Sequence, residues 1–138
     1  MDKKSKAIGK ADDDAKILII EALEGKHTGG FDLDSIYKIN DTYYVLEFLK
    51  CDTVRPNKSH PNRYWFKNSQ KFISLWDISK KLEGYLFLVN YEESREQFKV
   101  IKVLELDNTG ILKEESREWD FTEFKKWFQS LNSRAIKN

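Results

Sequence analysis

Two acidic residues, Asp34 and Glu47, lie on either side of a predicted β-hairpin turn. The segments flanking Asn40-Asp41 are rich in aromatic and β-branched side chains, and Asn-Asp is typical of a two-residue turn. With that turn, the numbers of paired residues sum to 81, so Asp34 falls directly opposite Glu47. We therefore expect both carboxylates on one face of the hairpin.

The surroundings of Glu47 are a poor place for an unpaired charge, because it lies within the apolar run from Tyr43 to Leu49. Two adjacent carboxylates repel each other unless one is protonated or a cation lies between them. A divalent ion that prefers oxygen ligands, Mg²⁺ or Mn²⁺, would remove this conflict. The alternatives are that Glu47 lies at an exposed sheet edge or pairs with a lysine.

A basic segment follows the hairpin. From residue 53 to residue 76 there is no acidic side chain, and the aromatic residues Tyr64, Trp65 and Phe66 lie in its middle. Such interleaving would suit contacts with nucleic-acid phosphates and stacking on bases. The alternative is a solvated helix start whose aromatic residues belong to the core. The candidate phosphate-binding side chains are Arg55, Lys58, His60, Arg63 and Lys67.

The net charge of +1 conceals this uneven distribution. The basic segment carries five Lys and Arg residues, so the rest of the chain has 19 cations against 23 acids. This composition excludes a uniformly basic protein that coats DNA, but it allows a local nucleic-acid site. The single cysteine, Cys51, excludes an internal disulfide, and no apolar run suggests a signal peptide or a membrane span. We therefore expect a cytoplasmic protein without a membrane partner.

The elements that must position these residues follow from hydrophobic periodicity and turn residues. After a flexible polar tail (residues 1–10), residues 11–138 are expected to form a single domain of mixed α/β class. Its predicted order is α-β-β-α-β-β-α, with a mixed central sheet flanked by helices. The predicted helices cover 13–24, 62–82 (most securely from 68) and 121–131, and the predicted strands cover 31–39, 42–50, 85–91 and 97–106.

The segments Gly30-Phe31-Asp32-Leu33-Asp34 and Val45-Leu46-Glu47-Phe48-Leu49-Lys50 resemble the core motif of the PD-(D/E)XK nucleases. The order of elements over residues 15–91 is also similar to that superfamily, whose members have restriction-endonuclease-like and Holliday-junction-resolvase-like folds. The resemblance implies that Asp34 and Glu47 bind Mg²⁺ or Mn²⁺. It also implies that an acid on the first helix, Glu21 or Glu24, completes the metal site.

The lysine of the motif is displaced in this chain. Members of the superfamily usually carry it two residues after the acid, where this chain has Leu49, and Lys50 follows. Strand alternation points Lys50 away from Glu47 unless a β-bulge turns it back. In some members the lysine has moved to another element, so Lys67 or Lys71 could replace it.

The resemblance implies a metal-dependent endonuclease that hydrolyses DNA phosphodiester bonds, with Asp34, Glu47 and either Lys50 or Lys71 as catalytic residues. The first alternative is a non-catalytic domain of the same fold, with a degraded site, that binds nucleic acid or a protein. The second is an interaction module that uses the aromatic helix 121–131. Trp119 and Trp127 would fit a homodimer contact.

Overall fold

The computed structural model describes Ile8 and residues 13–137, so the predicted tail 1–10 lies outside the described residues except for Ile8. Mixed α/β architecture is confirmed, with one more strand than predicted. Two short 3₁₀ turns, Pro56–Lys58 and Pro61–Tyr64, precede the second helix. The helices are α1 (Asp14–Leu23), α2 (Trp65–Lys81) and α3 (Phe121–Lys137), and the strands are β1 (Ser35–Ile39), β2 (Thr42–Lys50), β3 (Tyr85–Tyr91), β4 (Phe98–Asp107) and β5 (Gly110–Trp119).

The five strands form one sheet in the order β1-β2-β3-β4-β5. Neighbouring strands are antiparallel except β2 and β3, which are parallel and are connected through α2. This confirms the predicted mixed sheet. The connection from α2 to β3 passes very close to β2, since a Cβ atom on Gly84 would lie 2.2 Å from the carbonyl oxygen of Tyr43. Only glycine can occupy this position without displacing β2.

The predicted register of the hairpin is confirmed. Ile39 pairs with Thr42, Ile36 pairs with Val45, and the ladder ends where Ser35 pairs with Leu46. The first strand therefore begins at Ser35, four residues later than predicted, and residues 31–34 lead into it.

The strand that the sequence pattern missed is β5, at the edge of the sheet. Five of the ten residues in its sequence, GILKEESREW, are charged, and only the first two residues are buried. An edge strand of this kind contributes few apolar side chains to the core, so it shows little of the alternation by which strands are predicted.

The two faces of the sheet pack against different helices. On the first face, α2 contributes Trp65, Phe72 and Leu75 to a core that includes Leu86 and Leu88 of β3. On the second face, α3 packs through an aromatic layer. Trp127 of α3 contacts Phe87 and Trp119 within the chain. These two tryptophans are therefore already partly used in intramolecular packing.

Helix α3 begins at a capping box formed by Asp120 and Glu123. The Asp120 side chain accepts a hydrogen bond from the amide of Glu123 (2.9 Å), and the Glu123 side chain accepts one from the amide of Asp120 (3.1 Å). The helix runs to Lys137, six residues beyond its predicted end.

Helix α1 has no buried residue, and the side chains of Ile17, Leu18, Ile19 and Ile20 are each more than half exposed. It ends where predicted, because Glu24 and then Gly25 take positive φ angles. An ion pair of 2.9 Å between Lys16 and Asp32 connects it to the segment before β1. Within residues 13–137, no helix combines the length and apolarity that a membrane span needs.

Candidate active site

Glu47 lies in the middle of β2, and only 1% of its surface is exposed. Strand alternation places it on the same face as Val45 and Leu49, both of which contact the core under α2. The alternative that Glu47 lies at an exposed sheet edge is therefore wrong. The carboxylate is instead enclosed between the sheet and α2.

Lys71 of α2 reaches this carboxylate. Its Nζ atom lies 2.8 Å from Oε2 of Glu47, while about a third of the lysine side chain remains exposed. Lys71 is held there by its neighbour Phe72, which is fully buried and stacks on Trp65 at the start of the helix. Despite the ion pair, Oε2 has no partner with the geometry of a hydrogen bond. The alternative that Glu47 pairs with a lysine is therefore confirmed, and the lysine is Lys71, one of the two on α2 that were considered as replacements for Lys50.

Asp34 lies just before β1, beyond the last ladder pair. Its Oδ2 atom accepts a hydrogen bond of 2.8 Å from the amide of Phe48. If the antiparallel ladder continued, the amide of Phe48 would donate its hydrogen bond to the carbonyl oxygen of Leu33. The Asp34 carboxylate accepts that hydrogen bond instead. Asp34 is thereby held beside Glu47, at the point where β1 separates from β2, and its side chain is exposed.

The electrostatic environment of Glu47 is unusual for a glutamate. Burial raises the pKa of Glu47 to about 7, the neighbouring Asp34 carboxyl adds to the increase, and Lys71 opposes it. A carboxyl group with a pKa near 7 can bind and release a proton at physiological pH. Such a group is suited to proton transfer or to metal binding, which removes its proton.

Lys50 does not share this environment. It lies on the opposite face of β2, with Leu46 and Phe48, which contact the α3 side of the sheet. Its Nζ atom lies 3.9 Å from carboxylate oxygens of both Asp52 and Glu93. There is no bulge in the pairing of β2 with its neighbours to turn it back. The structure therefore separates Lys50 from the carboxylate pair.

Glu21 of α1 is also not brought to the pair, because no three acidic, histidine or cysteine side chains converge within residues 13–137. The residue of α1 that faces the site is Lys16, through its ion pair with Asp32. A position five residues later on a helix is rotated by about 140°, so Glu21 points elsewhere. Sequence reasoning missed Lys16 and Asp32, although Asp32 stands in the same short segment as Asp34.

Two of the predicted phosphate ligands are engaged by acids of the protein. Arg55 forms a bidentate contact with Glu92 (2.7 and 3.1 Å) and also contacts Glu96. His60 pairs with Glu114 through Nε2 and accepts the amide hydrogen of Asn62 at Nδ1. These pairs connect the loop before α2 to the turn after β3 and to the middle of β5, so both side chains are engaged within the fold.

The three other predicted phosphate ligands, Lys58, Arg63 and Lys67, have exposed side chains. Within residues 13–137 none of the three forms an ion pair. Arg63 lines a cleft of about 310 Å³ at the carboxyl end of β2. These side chains provide the uncompensated positive charge of the basic segment.

Lys67 and Lys71 line a second cleft, of about 420 Å³, between the first turns of α2 and the segment before β1. The two clefts share Asn68 in their walls. Lining residues of the second cleft include Gly30, Phe31, Phe66, Asn68, Ser69, Gln70 and Ser74. Its walls thus combine hydroxyl, amide and ammonium groups with two phenyl rings.

No family model, curated protein or solved structure matches this chain significantly.

Proposed function

We propose that this protein is a metal-dependent DNA nuclease of the PD-(D/E)XK type, with Asp34, Glu47 and Lys71 as its catalytic residues. The observation that carries the proposal is the convergence of these three side chains from three separate elements on one point. A buried carboxyl with a raised pKa, beside a second acid and a lysine, is costly for stability and typical of catalytic sites. The restriction-endonuclease-like fold is part of the same proposal.

The side chains present fit a divalent cation in ligand type. Asp34 and Glu47 supply carboxylate oxygens, and Oε2 of Glu47 is buried without a hydrogen bond. Mg²⁺ is commonly held by one or two carboxylates, with water and substrate phosphate as its other ligands. Asp34 and Glu47 would hold the ion, which when bound would make water a stronger nucleophile and offset the charge of the reacting phosphate.

The protein's own side chains have distinct tasks in this proposal. The ammonium group of Lys71 lies at the carboxylate and is partly exposed, so it can orient the attacking water and donate to a phosphate oxygen. Lys67 lines the same cleft as Lys71 and binds the next phosphate along the DNA strand. Hydrolysis forms a bond from the water oxygen to phosphorus, breaks the bond from phosphorus to the leaving oxygen, and transfers a proton to that oxygen.

The test is cleavage of supercoiled plasmid and of single-stranded DNA with Mg²⁺, Mn²⁺ or EDTA. We expect metal-dependent cleavage by the wild type and a loss of at least about 100-fold in Asp34→Asn and Glu47→Gln. Asp41→Asn, an exposed acid in the hairpin turn, is the matched control and should keep full activity. Equal activity in all proteins, or none in any, would contradict the proposal.

A second candidate function is nucleic-acid binding without cleavage. It is favoured by an incomplete catalytic motif, because Lys50 contacts Asp52 and Glu93 on the opposite face and no third acidic side chain joins the pair within residues 13–137. It predicts that DNA binding survives in Asp34→Asn and Glu47→Gln, and that no preparation cleaves DNA with either metal.

A further inference from the structure

Phe66 is a large apolar side chain with no structural task in the chain. It lies in the first turn of α2, and 91% of its surface is exposed. Its neighbour Trp65 is buried, stacks on Phe72 and donates a hydrogen bond to the carbonyl of Asn108. Within residues 13–137, Phe66 stacks on no other ring. The helix is therefore anchored by Trp65, and Phe66 contributes almost nothing to its packing.

Phe66 lies on the cleft between the first turns of α2 and the segment before β1. Phe66 and Lys71 line the same cleft, and Lys71 is the lysine that contacts Glu47. Phe31, which is 43% exposed, lines the cleft from the segment that leads to Asp34. Two accessible phenyl rings thus lie on a cleft that also carries the ammonium groups of Lys67 and Lys71.

We propose that this cleft takes an unpaired nucleotide of single-stranded DNA, with Phe66 as the platform on which its base stacks. That the polymer is DNA rests on the proposed function. The lysines attract the phosphate, and the ring of Phe66 covers one face of the base. Asn68 and Gln70 line the same cleft, so their amide groups can form hydrogen bonds with the polar edge of the base.

The preference for a single strand follows from what a base must expose to stack on Phe66. In a duplex both faces of an internal base are covered by its neighbours, so a phenyl ring cannot reach them unless the base is extruded. In a single strand a face is available at little cost. A stacked base contributes about 1–3 kcal/mol, which corresponds to about 5-fold to 150-fold in affinity.

The experiment is fluorescence anisotropy with a labelled oligodeoxynucleotide, as a single strand and as a duplex, in EDTA so that no cleavage occurs. We expect Phe66→Ala to weaken single-strand binding at least about 5-fold, with a smaller change for duplex, and Phe66→Tyr to restore it. Because the side chain is almost wholly exposed, these variants should fold like the wild type.

The matched control is Phe121→Ala, which removes a 42% exposed phenyl ring at the start of α3, on the other face of the sheet. It should bind both DNAs like the wild type. No DNA binding, an unchanged affinity in Phe66→Ala, or an equal loss for single strand and duplex would each overturn the inference.

Cleavage assays on the same proteins separate this inference from the proposed function. Phe66-dependent binding of single strands, in a protein that never cleaves DNA, would support the inference and contradict the nuclease. Cleavage that depends on Glu47, in a protein whose single-strand affinity is independent of Phe66, would support the nuclease and contradict the inference.

Discussion

Glu47 and Glu92 are both largely buried glutamates with a basic partner, yet their pKa values move in opposite directions. Arg55 lowers the pKa of Glu92 to about 2, with a further contribution from the hydroxyl of Ser94. Burial raises the pKa of Glu47 to about 7, although Lys71 is only 2.8 Å away. Both ion pairs join the segment between β2 and β3 to a glutamate in a strand or directly after one, so their location does not explain the difference.

Burial and the number of hydrogen-bond donors together explain it, because burial has the largest effect on the pKa of Glu47 and the hydrogen bonds from Arg55 have the largest effect on that of Glu92. Glu92 accepts two hydrogen bonds from the guanidinium group of Arg55 and one from Ser94. Glu47 has a single cation nearby, an acidic neighbour, and an oxygen without a hydrogen bond. A site that served only stability would be completed as Glu92 is. Under the proposed function, a metal ion completes the surroundings of Glu47.

The largest expected effect concerns the two candidate lysines. Lys71→Ala should lower the rate of metal-dependent DNA cleavage by at least about 100-fold, whereas Lys50→Ala should stay within about threefold of wild type. The physical reason is that only Lys71 reaches the carboxylate pair, while Lys50 contacts Asp52 and Glu93 on the opposite face. Initial rates of plasmid nicking measure both. A greater loss in Lys50→Ala would reverse the assignment.

The next largest effect is the pH dependence of protein stability that the titration of Glu47 causes. Glu47 holds a proton in the folded state up to about pH 7, whereas the unfolded chain releases it near 4.5, so its contribution to stability is lost as the pH rises between these values. Glu47→Gln removes this loss and should raise the free energy of unfolding near pH 8 by up to about 3 kcal/mol. Near pH 4 the two proteins should be equally stable.

Urea denaturation in EDTA at both pH values measures this difference. Glu92→Gln is the matched control and should not be stabilised near pH 8, because Arg55 loses an ionic partner in that variant. If Glu47→Gln destabilises the protein at the higher pH, Glu47 is ionised and fully satisfied in the fold, and the contrast with Glu92 disappears.

The smallest expected effect is the acid dependence of Glu92. Because its folded pKa is about 2 and its unfolded pKa is near 4.5, it stabilises the fold above the unfolded value, and this contribution is lost as the pH falls towards 2. Glu92→Gln should therefore lower Tm at neutral pH and reduce the slope of Tm against pH on the acid side. Calorimetry over that range measures both. An unchanged acid slope would show that Arg55 does not hold this carboxylate in solution.

The hairpin shows how much could be predicted from local sequence. Asn40 adopts the positive φ angle that a two-residue turn demands, and the register that follows from it is the one observed. From that register alone the neighbourhood of Asp34 and Glu47 could be derived. The edge strand β5 could not, because its charged side chains face solvent and leave no apolar alternation to recognise.

The choice of lysine depended on contacts distant in sequence. The sequence left Lys50, Lys67 and Lys71 all as candidates, and the packing of α2 through Phe72 brings Lys71 to Glu47. Similarly, the sequence alone presents Arg55 and His60 as available phosphate ligands. Their partners Glu92 and Glu114 lie 37 and 54 positions later, in a region whose acidic character the sequence shows without its pairings.

The sequence by itself therefore determined the mixed α/β class, the hairpin register and the juxtaposition of Asp34 with Glu47, because each depends on residues close together in the chain. Only the tertiary structure decided which lysine contacts Glu47, which of the predicted phosphate ligands pair with acids of the protein, and that Phe66 is exposed while Trp65 is buried. These depend on how α2 and the loop before it pack on the sheet, and burial and pairing across such distances are not encoded in local patterns.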